Sequence, residues 1–361
     1  MQAVLLTGHG GLDKLELRND VPIPVPAAEE VLIEVSACGM NNTDIWVREG
    51  AYGTDEDASA VASWRRGLEN TLTFPRIQGA DTVGRIVDVG ANVPRSRIGE
   101  RVMVDFSIYN GDGTSLAEID YIGHGRDGGY AELMVAPAEN AYETTAAITD
   151  AELATFCCAY LTGEHMLDRA AVKAGERVLI TGASGGVGSG LVQLTRARGA
   201  IPYAIVGRGK EQAVKAIGAE EVITRETGRL AEQVHAATGG EPIDVVADLV
   251  AGAMFGELIN VLRPEGRYTT AGAIGGPVVT LDLRTVYLKH LQLHGSSQGT
   301  RAAFRRLHRY VETGKVKPLL WQTFPLSRIR EAQTAFVAKQ FVGKLVMQPD
   351  RLWTPLEGRH S

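Results

Sequence analysis

Hydrophobic and polar positions divide the chain into two regimes. From the N-terminus to about residue 145, apolar residues alternate with polar ones at the two-residue period of a strand. "MQAVLLTGHGG", "EEVLIEVSACG", "DTVGRIVDVG" and "GERVMVDF" carry this alternation, punctuated by glycine. Few helical patterns interrupt them, so a β-rich domain is expected over 1–145. Two polar stretches, 53–73 and 107–129, read as loops or lobes on that domain, the first with a short helix around Trp64.

Near residue 150 the period changes. "TDAELATFCCAYLTGEHMLDRA" joins an N-cap threonine to helical spacing. Strands and helices then alternate: "ERVLITG" and "GVGSGLVQLTRARG", then "IPYAIVG" and "GKEQAVKAIG". "EVIT", "DVVADLV", "GRYTTAG" and "LQLHG" supply further strands. This order predicts an α/β domain over 146–295, a parallel sheet with helices on both faces. After residue 295, "TRAAFRRLHRYVETG" predicts a helix and "GKLVMQP" a returning strand, before a loosely held tail.

Composition narrows the function classes. A length of 361 residues suits about two domains. The net charge of −6 offers no basic field for nucleic acid or an anionic membrane. No apolar run approaches the ~20 residues of a membrane span. The three cysteines, Cys38, Cys157 and Cys158, form no disulfide framework, which suits a reduced, cytoplasmic setting.

The strongest chemical signal is "VLITGASGGVGSGL", where a strand runs through a glycine loop straight into a helix. Such a loop lets backbone N–H groups and the positive end of a helix dipole approach a pyrophosphate. Ala183 stands at the first glycine place of the usual G-x-G-x-x-G, and Gly185 and Gly188 hold the other two. Ser184, Gly185, Gly186, Val187 and Gly188 are therefore cofactor-binding candidates. The next strand ends in "VGRGK". It lacks the acid that would bind a ribose 2′-OH and has Gly207, Arg208 and Lys210 instead. Cations without an acid suit a 2′-phosphate, so NADPH is the expected cofactor, with Arg225 adding a contact.

At this point the chain resembles the medium-chain dehydrogenase/reductase superfamily over nearly its whole length. "GERV", "GGYAEL", "LTG", "VKAGERVLITGASGGVG", "IGAEEVI" and "GKLV" occur in that family's order. The resemblance implies a GroES-like β-rich catalytic domain over 1–145, completed by 296–361, and a doubly wound Rossmann domain over 146–295. It also implies an interdomain cleft and a homodimer or homotetramer. Within the superfamily, "GMNNTDIWVREGAY" is similar to the quinone oxidoreductase branch through Asn41, Asp44, Arg48, Gly50 and Tyr52. Members of that branch use NADPH to reduce quinones or the C=C bond of α,β-unsaturated carbonyls. The long 53–73 segment departs from the branch, where a shorter link is usual.

The resemblance also frames the question of a metal. In zinc alcohol dehydrogenases, ligands align with Cys38, Ala80 and Cys158 of this chain, so alanine stands where histidine is needed. Catalytic zinc needs about three protein ligands. Cys38, Cys158 and Asp81 remain as a degenerate set, and the expectation is that they hold no metal. Asn41 and Tyr52 are then the catalytic candidates, as neutral donors to a carbonyl oxygen gaining negative charge; Tyr52 or a water would deliver the proton. Asn41 could equally hold a turn or orient the cofactor ribose. Asp44 and Arg48 are expected to form an ion pair or to contact the cofactor. Thr162 is expected to touch the nicotinamide, and His165, one turn later, either faces the cleft or, as the favoured reading, is a satisfied core histidine. The segment Ala271, Gly272, Ala273 and Ile274 should present backbone to the carboxamide. Two other functions compete: a zinc-dependent alcohol dehydrogenase, and an NADPH-binding sensor or structural protein without turnover.

Overall fold

The computed structural model describes residues 1–52, 72–109, 119–226 and 228–353. The helix expected around Trp64 and the end of the tail lie outside these residues.

The alternation in "EEVLIEVSACG" becomes the strand Glu30–Gly39, which organises a seven-stranded sheet. Val31, Ile33 and Val35 on its inner face are fully buried. Asp81–Val89 pairs antiparallel along almost its whole length, from Val31↔Val89 to Gly39↔Asp81. Its other edge is shared. Leu133–Pro137 pairs with residues Glu30 to Glu34, and the C-terminal strand Lys344–Gln348 pairs through Met347↔Cys38 and Val346↔Gly39. Leu320–Pro325 then runs parallel to Lys344–Gln348 at the sheet's edge. The last strand of the chain thus lies beside Cys38 and Gly39, next to the helix that follows them.

The second sheet is six-stranded and parallel. Its order is Glu221–Thr224, Ile201–Val206, Arg177–Ile180, Ile243–Asp248, Leu262–Thr270 and Gln292–Gly295. In chain order this is 3-2-1-4-5-6, the doubly wound arrangement, whose direction of winding reverses beside Arg177–Ile180. Such a switch point opens a crevice outside the carboxyl ends of the strands. The glycine loop follows Ile180 at that crevice.

Two local features differ from the sequence expectation. "NTDIWVR" forms a helix, Asn42–Arg48, that the alternation reading passed over. Its seven residues are too few to show a 3.6-residue period clearly. The Asp44 carboxylate accepts the Asn41 N–H at 2.8 Å and so starts the helix, which buries Ile45 and Val47. The second difference is a break in the helix expected after Thr149. Thr149 and Glu152 form a capping box for Asp150–Leu153, the chain turns, and a new helix runs Cys157–Arg169. The turn places the start of that second helix against Asp81.

Candidate active site

The crevice is a cavity of about 400 Å³ bounded by the glycine loop, the helix Asn42–Arg48, the helix Cys157–Arg169 and the C-terminal strand. Gly182 turns the chain out of the strand with φ +59°. Gly188 lets the following helix close on that turn: a Cβ there would lie 2.2 Å from the Gly182 carbonyl oxygen. Around Gly185 the nearest atom to a notional Cβ is the Gly182 oxygen at 3.5 Å, so its cavity side is open. This backbone cradle at a helix start fits a pyrophosphate.

Most residues singled out from sequence meet here. Asn41, Tyr52, Thr162, Ser184, Gly185, Gly186, Val187, Gly188, Gly207, Lys210, Arg225, Ala271, Gly272 and Ile274 all line the cavity. Arg208 is exposed, and neither it nor Ala273 is among the lining residues. The basic wall is built instead from Lys210, Arg225 and Lys339. Lys339, which the sequence reading missed, donates to Asn42 Oδ1 at 2.9 Å and lies 3.4 Å from the Phe336 ring centroid. Burial, then the charges of Lys344 and Lys210, pull its pKa from 10.5 down to about 7. Lys210 donates to the Lys339 carbonyl at 2.6 Å, tying the two together.

The floor of the cavity holds a second lysine. Lys344, 3% exposed, donates to Asp81 Oδ2 at 2.7 Å and to Asn41 Oδ1 at 2.6 Å. Its stem crosses the glycine loop, where a Cβ on Gly186 would meet Lys344 Cδ at 2.8 Å. Burial opposes its charge most strongly, but Asp81, Cys158 and Asp44 together outweigh this and raise the ammonium's pKa. Asp81 Oδ1 accepts the Cys158 N–H at 2.6 Å. The helix Cys157–Arg169 has no side-chain cap of its own, so a carboxylate from the other sheet completes its N-terminus. "GKLV" was noted for its order along the chain. The sign that its lysine matters is a charge opening an otherwise apolar buried strand.

This arrangement does not fit a metal. Both Asp81 oxygens are already engaged, by an ammonium and by a backbone amide. Cys38 is fully buried, and its sulfur accepts from Thr82 Oγ1 at 3.7 Å. Burial, then Asp81, raises the pKa of both the Cys38 and Cys158 thiols. Among the described residues, no three His, Cys, Asp or Glu side chains converge to hold an ion.

Three expectations about neighbouring residues need correction. Asp44 and Arg48 do not pair. Asp44 accepts from Asn41 N and from Tyr130 Oη at 2.7 Å, while Arg48 donates to Gln333, the Gly10 carbonyl and Glu49. Four residues apart on one short helix, they are drawn to different partners by tertiary packing. Neither Asp44 nor Arg48 lines the cavity. His165 is buried, as expected, but neither ring nitrogen has a hydrogen-bond partner among the described residues. Burial, then Arg169, lowers its pKa and keeps the ring neutral.

Asp44 gives a test of this region. Burial pushes it from 3.8 up to about 6, against its hydrogen bonds from Asn41 and Tyr130. The folded protein therefore keeps a proton that the unfolded chain has already released. Stability from this group is greatest below about pH 4 and is lost as pH rises through about 6. Asp44→Asn, which cannot ionise, is expected to raise the melting temperature at pH 8 by the equivalent of about 1–3 kcal/mol. At pH 4 it should change little. Thermal denaturation of both proteins at the two pH values checks this.

Tyr52 is half-buried, with Trp46 edge-on at 5.6 Å between ring centroids. Burial lifts its pKa to about 12, against a hydrogen bond with Thr43, so the phenol stays a neutral donor at ordinary pH. A cradle for a dinucleotide, a basic wall and two neutral donors on one cavity can bind a nicotinamide cofactor and polarise an oxygen beside it.

Comparison with known proteins agrees with this architecture. The family model described as "Alcohol dehydrogenase GroES-like domain" matches residues 27–146, and "Zinc-binding dehydrogenase" matches residues 186–313. The quinone oxidoreductase of Homo sapiens is 28% identical over 359 residues, covering 96% of this chain and 97% of that protein. A crystal structure from Sinorhizobium meliloti 1021, provisionally named an alcohol dehydrogenase, is 69% identical with a TM-score of 0.94, covering 97% of each chain. A 2-octenoyl-CoA carboxylase reductase solved with NADP and 2-octenoyl-CoA is 27% identical with a TM-score of 0.85, covering 99% of this chain and 88% of that one. The chain belongs to the medium-chain dehydrogenase/reductase superfamily, with its GroES-like and Rossmann-type domains, and is a nicotinamide-dependent oxidoreductase of that type.

Proposed function

We propose that this protein uses NADPH to reduce a quinone or an α,β-unsaturated carbonyl compound, and that it does so without a metal. The observation that carries the reading is the buried cluster of Lys344, Asp81 and Asn41. It sets an ammonium and an amide against Asp81, next to Ala80, the position at which the resemblance to zinc enzymes calls for a histidine. The similarity to quinone oxidoreductase over nearly the whole chain supports the same reaction class.

The glycine loop from Ser184 to Gly188 would cradle the pyrophosphate. Lys210, Arg225 and Lys339 supply the positive wall for the additional phosphate of NADPH. Among the described residues, no acidic side chain lines the cavity to favour NADH. When bound, the cofactor supplies hydride. The protein's own part is to hold the acceptor beside it and to stabilise charge on the acceptor's oxygen. Asn41 Nδ2–H and the Tyr52 hydroxyl are the donors, and both are neutral when the charge develops. Tyr52 or a water then returns the proton.

A spectrophotometric screen tests the reading. NADPH oxidation is followed over quinones, enones, enoyl thioesters and aldehydes, with NADH in parallel and metal content measured on the same sample. Turnover of a quinone or enone with NADPH preferred is the expected result. One zinc per chain, removed together with activity by a chelator, would replace it with the alcohol dehydrogenase reading. Cofactor binding without turnover of any acceptor would favour a sensor or structural role.

Lys339 makes the cofactor preference pH-dependent. In the unliganded protein it is pulled down to about 7, so above neutrality it is largely uncharged. A nearby phosphate favours the charged form, so binding above pH 7 must take up a proton. NADPH affinity is therefore expected to fall by up to about tenfold per pH unit between pH 7.5 and 8.5. Calorimetry in buffers of different ionisation enthalpy should show proton uptake. Lys339→Arg, whose charge does not titrate in this range, should flatten the profile.

A further inference from the structure

We infer that Lys344 is a positioning residue for Asn41: it fixes the carboxamide so that Nδ2, rather than Oδ1, is the group offered to the substrate oxygen. This rests on the reductase reading above. An ammonium donates and cannot accept, so the Asn41 atom 2.6 Å from Lys344 Nζ is the carbonyl oxygen. That contact engages the acceptor end of the amide, which also caps the Asp44 N–H. Among the described residues, the donor end is left with one weak partner, the Gly39 carbonyl at 3.5 Å. Asn41 is 8% exposed and lines the cavity, so its remaining donor capacity has little solvent to satisfy it.

Lys344 is in turn held from three sides. Asp81 Oδ2 anchors its charge, the strand Lys344–Gln348 is pinned to Gly39 and Cys38, and its stem lies across Gly186. Asp81 is itself fixed by the Cys158 amide. The orientation of Asn41 thus depends on a chain of contacts that joins both sheets. With Lys344 removed, only the capping contact from the Asp44 N–H still holds the amide oxygen, and the carboxamide is freer to turn its other end to the cavity. An acceptor pointed at a developing oxyanion repels it, whereas a donor stabilises it. A Lys344 that merely neutralised Asp81 would leave the amide indifferent.

The experiment is a double-mutant cycle with a spectroscopic readout. Lys344→Met is expected to lower kcat about 100-fold while the NADPH dissociation constant stays within about threefold. In an Asn41→Ala background the same substitution should cost less than about threefold more, because the residue it acts through is gone. With asparagine labelled by ¹⁵N, the Asn41 side-chain amide signal, assigned by its loss in Asn41→Ala, should shift in cofactor-free Lys344→Met. Losses that multiply fully in the double variant, or an unmoved amide signal, would overturn the positioning role. If Lys344→Met fails to fold, Lys344→Met with Asp81→Asn removes the uncompensated charge and carries the same comparisons. Absence of any turnover by the unaltered protein would overturn the reductase reading, and this inference with it. Turnover with multiplicative losses would overturn the inference alone.

Discussion

Asp81→Ala is expected to lower the unfolding free energy by about 3–5 kcal/mol, since it strands the Lys344 ammonium in a buried site. Two further losses add to the effect. The N-terminus of the helix Cys157–Arg169 loses the acceptor for Cys158 N–H, and Gly39 loses the Asp81 side chain packed against it. Removing both charges at once behaves differently, because a buried pair contributes little net stability beyond a matched neutral pair. Asp81→Asn with Lys344→Met should recover most of the loss, since asparagine can still accept from Cys158 N. Denaturant unfolding of the two variants and the unaltered protein measures this. A single-variant loss below about 1 kcal/mol would show that water reaches Lys344 and that the pair is not truly desolvated.

Gly188→Ala is the second large expectation. The added Cβ would meet backbone, at 2.2 Å from the Gly182 oxygen and 2.7 Å from Ala183 Cα, so no side chain can rotate aside. The helix Gly186–Ala197 must move off the strand end, opening the cradle. Overpacking of this kind costs about 1–3 kcal/mol of stability. Cofactor affinity is expected to fall by at least about 100-fold, because misplaced backbone N–H groups lose the pyrophosphate together. Gly256→Ala is the control. It lies in the helix Phe255–Asn260 with open space around its Cβ, and alanine favours a helix by about 1 kcal/mol over glycine. Cofactor titration by fluorescence and thermal denaturation separate the two outcomes.

Much of the fold was legible because its signals are local. The period change near residue 150, the glycine loop and the Thr149 cap each involve residues within a turn or two of one another, so propensity and pattern suffice to read them. The helix Asn42–Arg48 was not legible, since a seven-residue helix carries too little periodicity. Its hydrogen bonds to Asp44 were equally invisible: that carboxylate is satisfied by Tyr130, far away in sequence, and not by Arg48 one turn on. For the basic wall, sequence pointed to the segment that follows the second Rossmann strand. There Arg208 extends outward, while Lys339, more than a hundred residues later, turns in.

The α/β class and the dinucleotide loop were legible from residue type at a given spacing, and the absence of a zinc-site histidine at Ala80 followed from the resemblance to zinc alcohol dehydrogenases. What surrounds Asp81 instead depended on the tertiary structure. Lys344, Asp81 and Asn41 are separated by up to 303 residues and meet because the last strand inserts beside Gly39. An ammonium can remain buried only where a carboxylate and further acceptors surround it, and no local pattern encodes that enclosure.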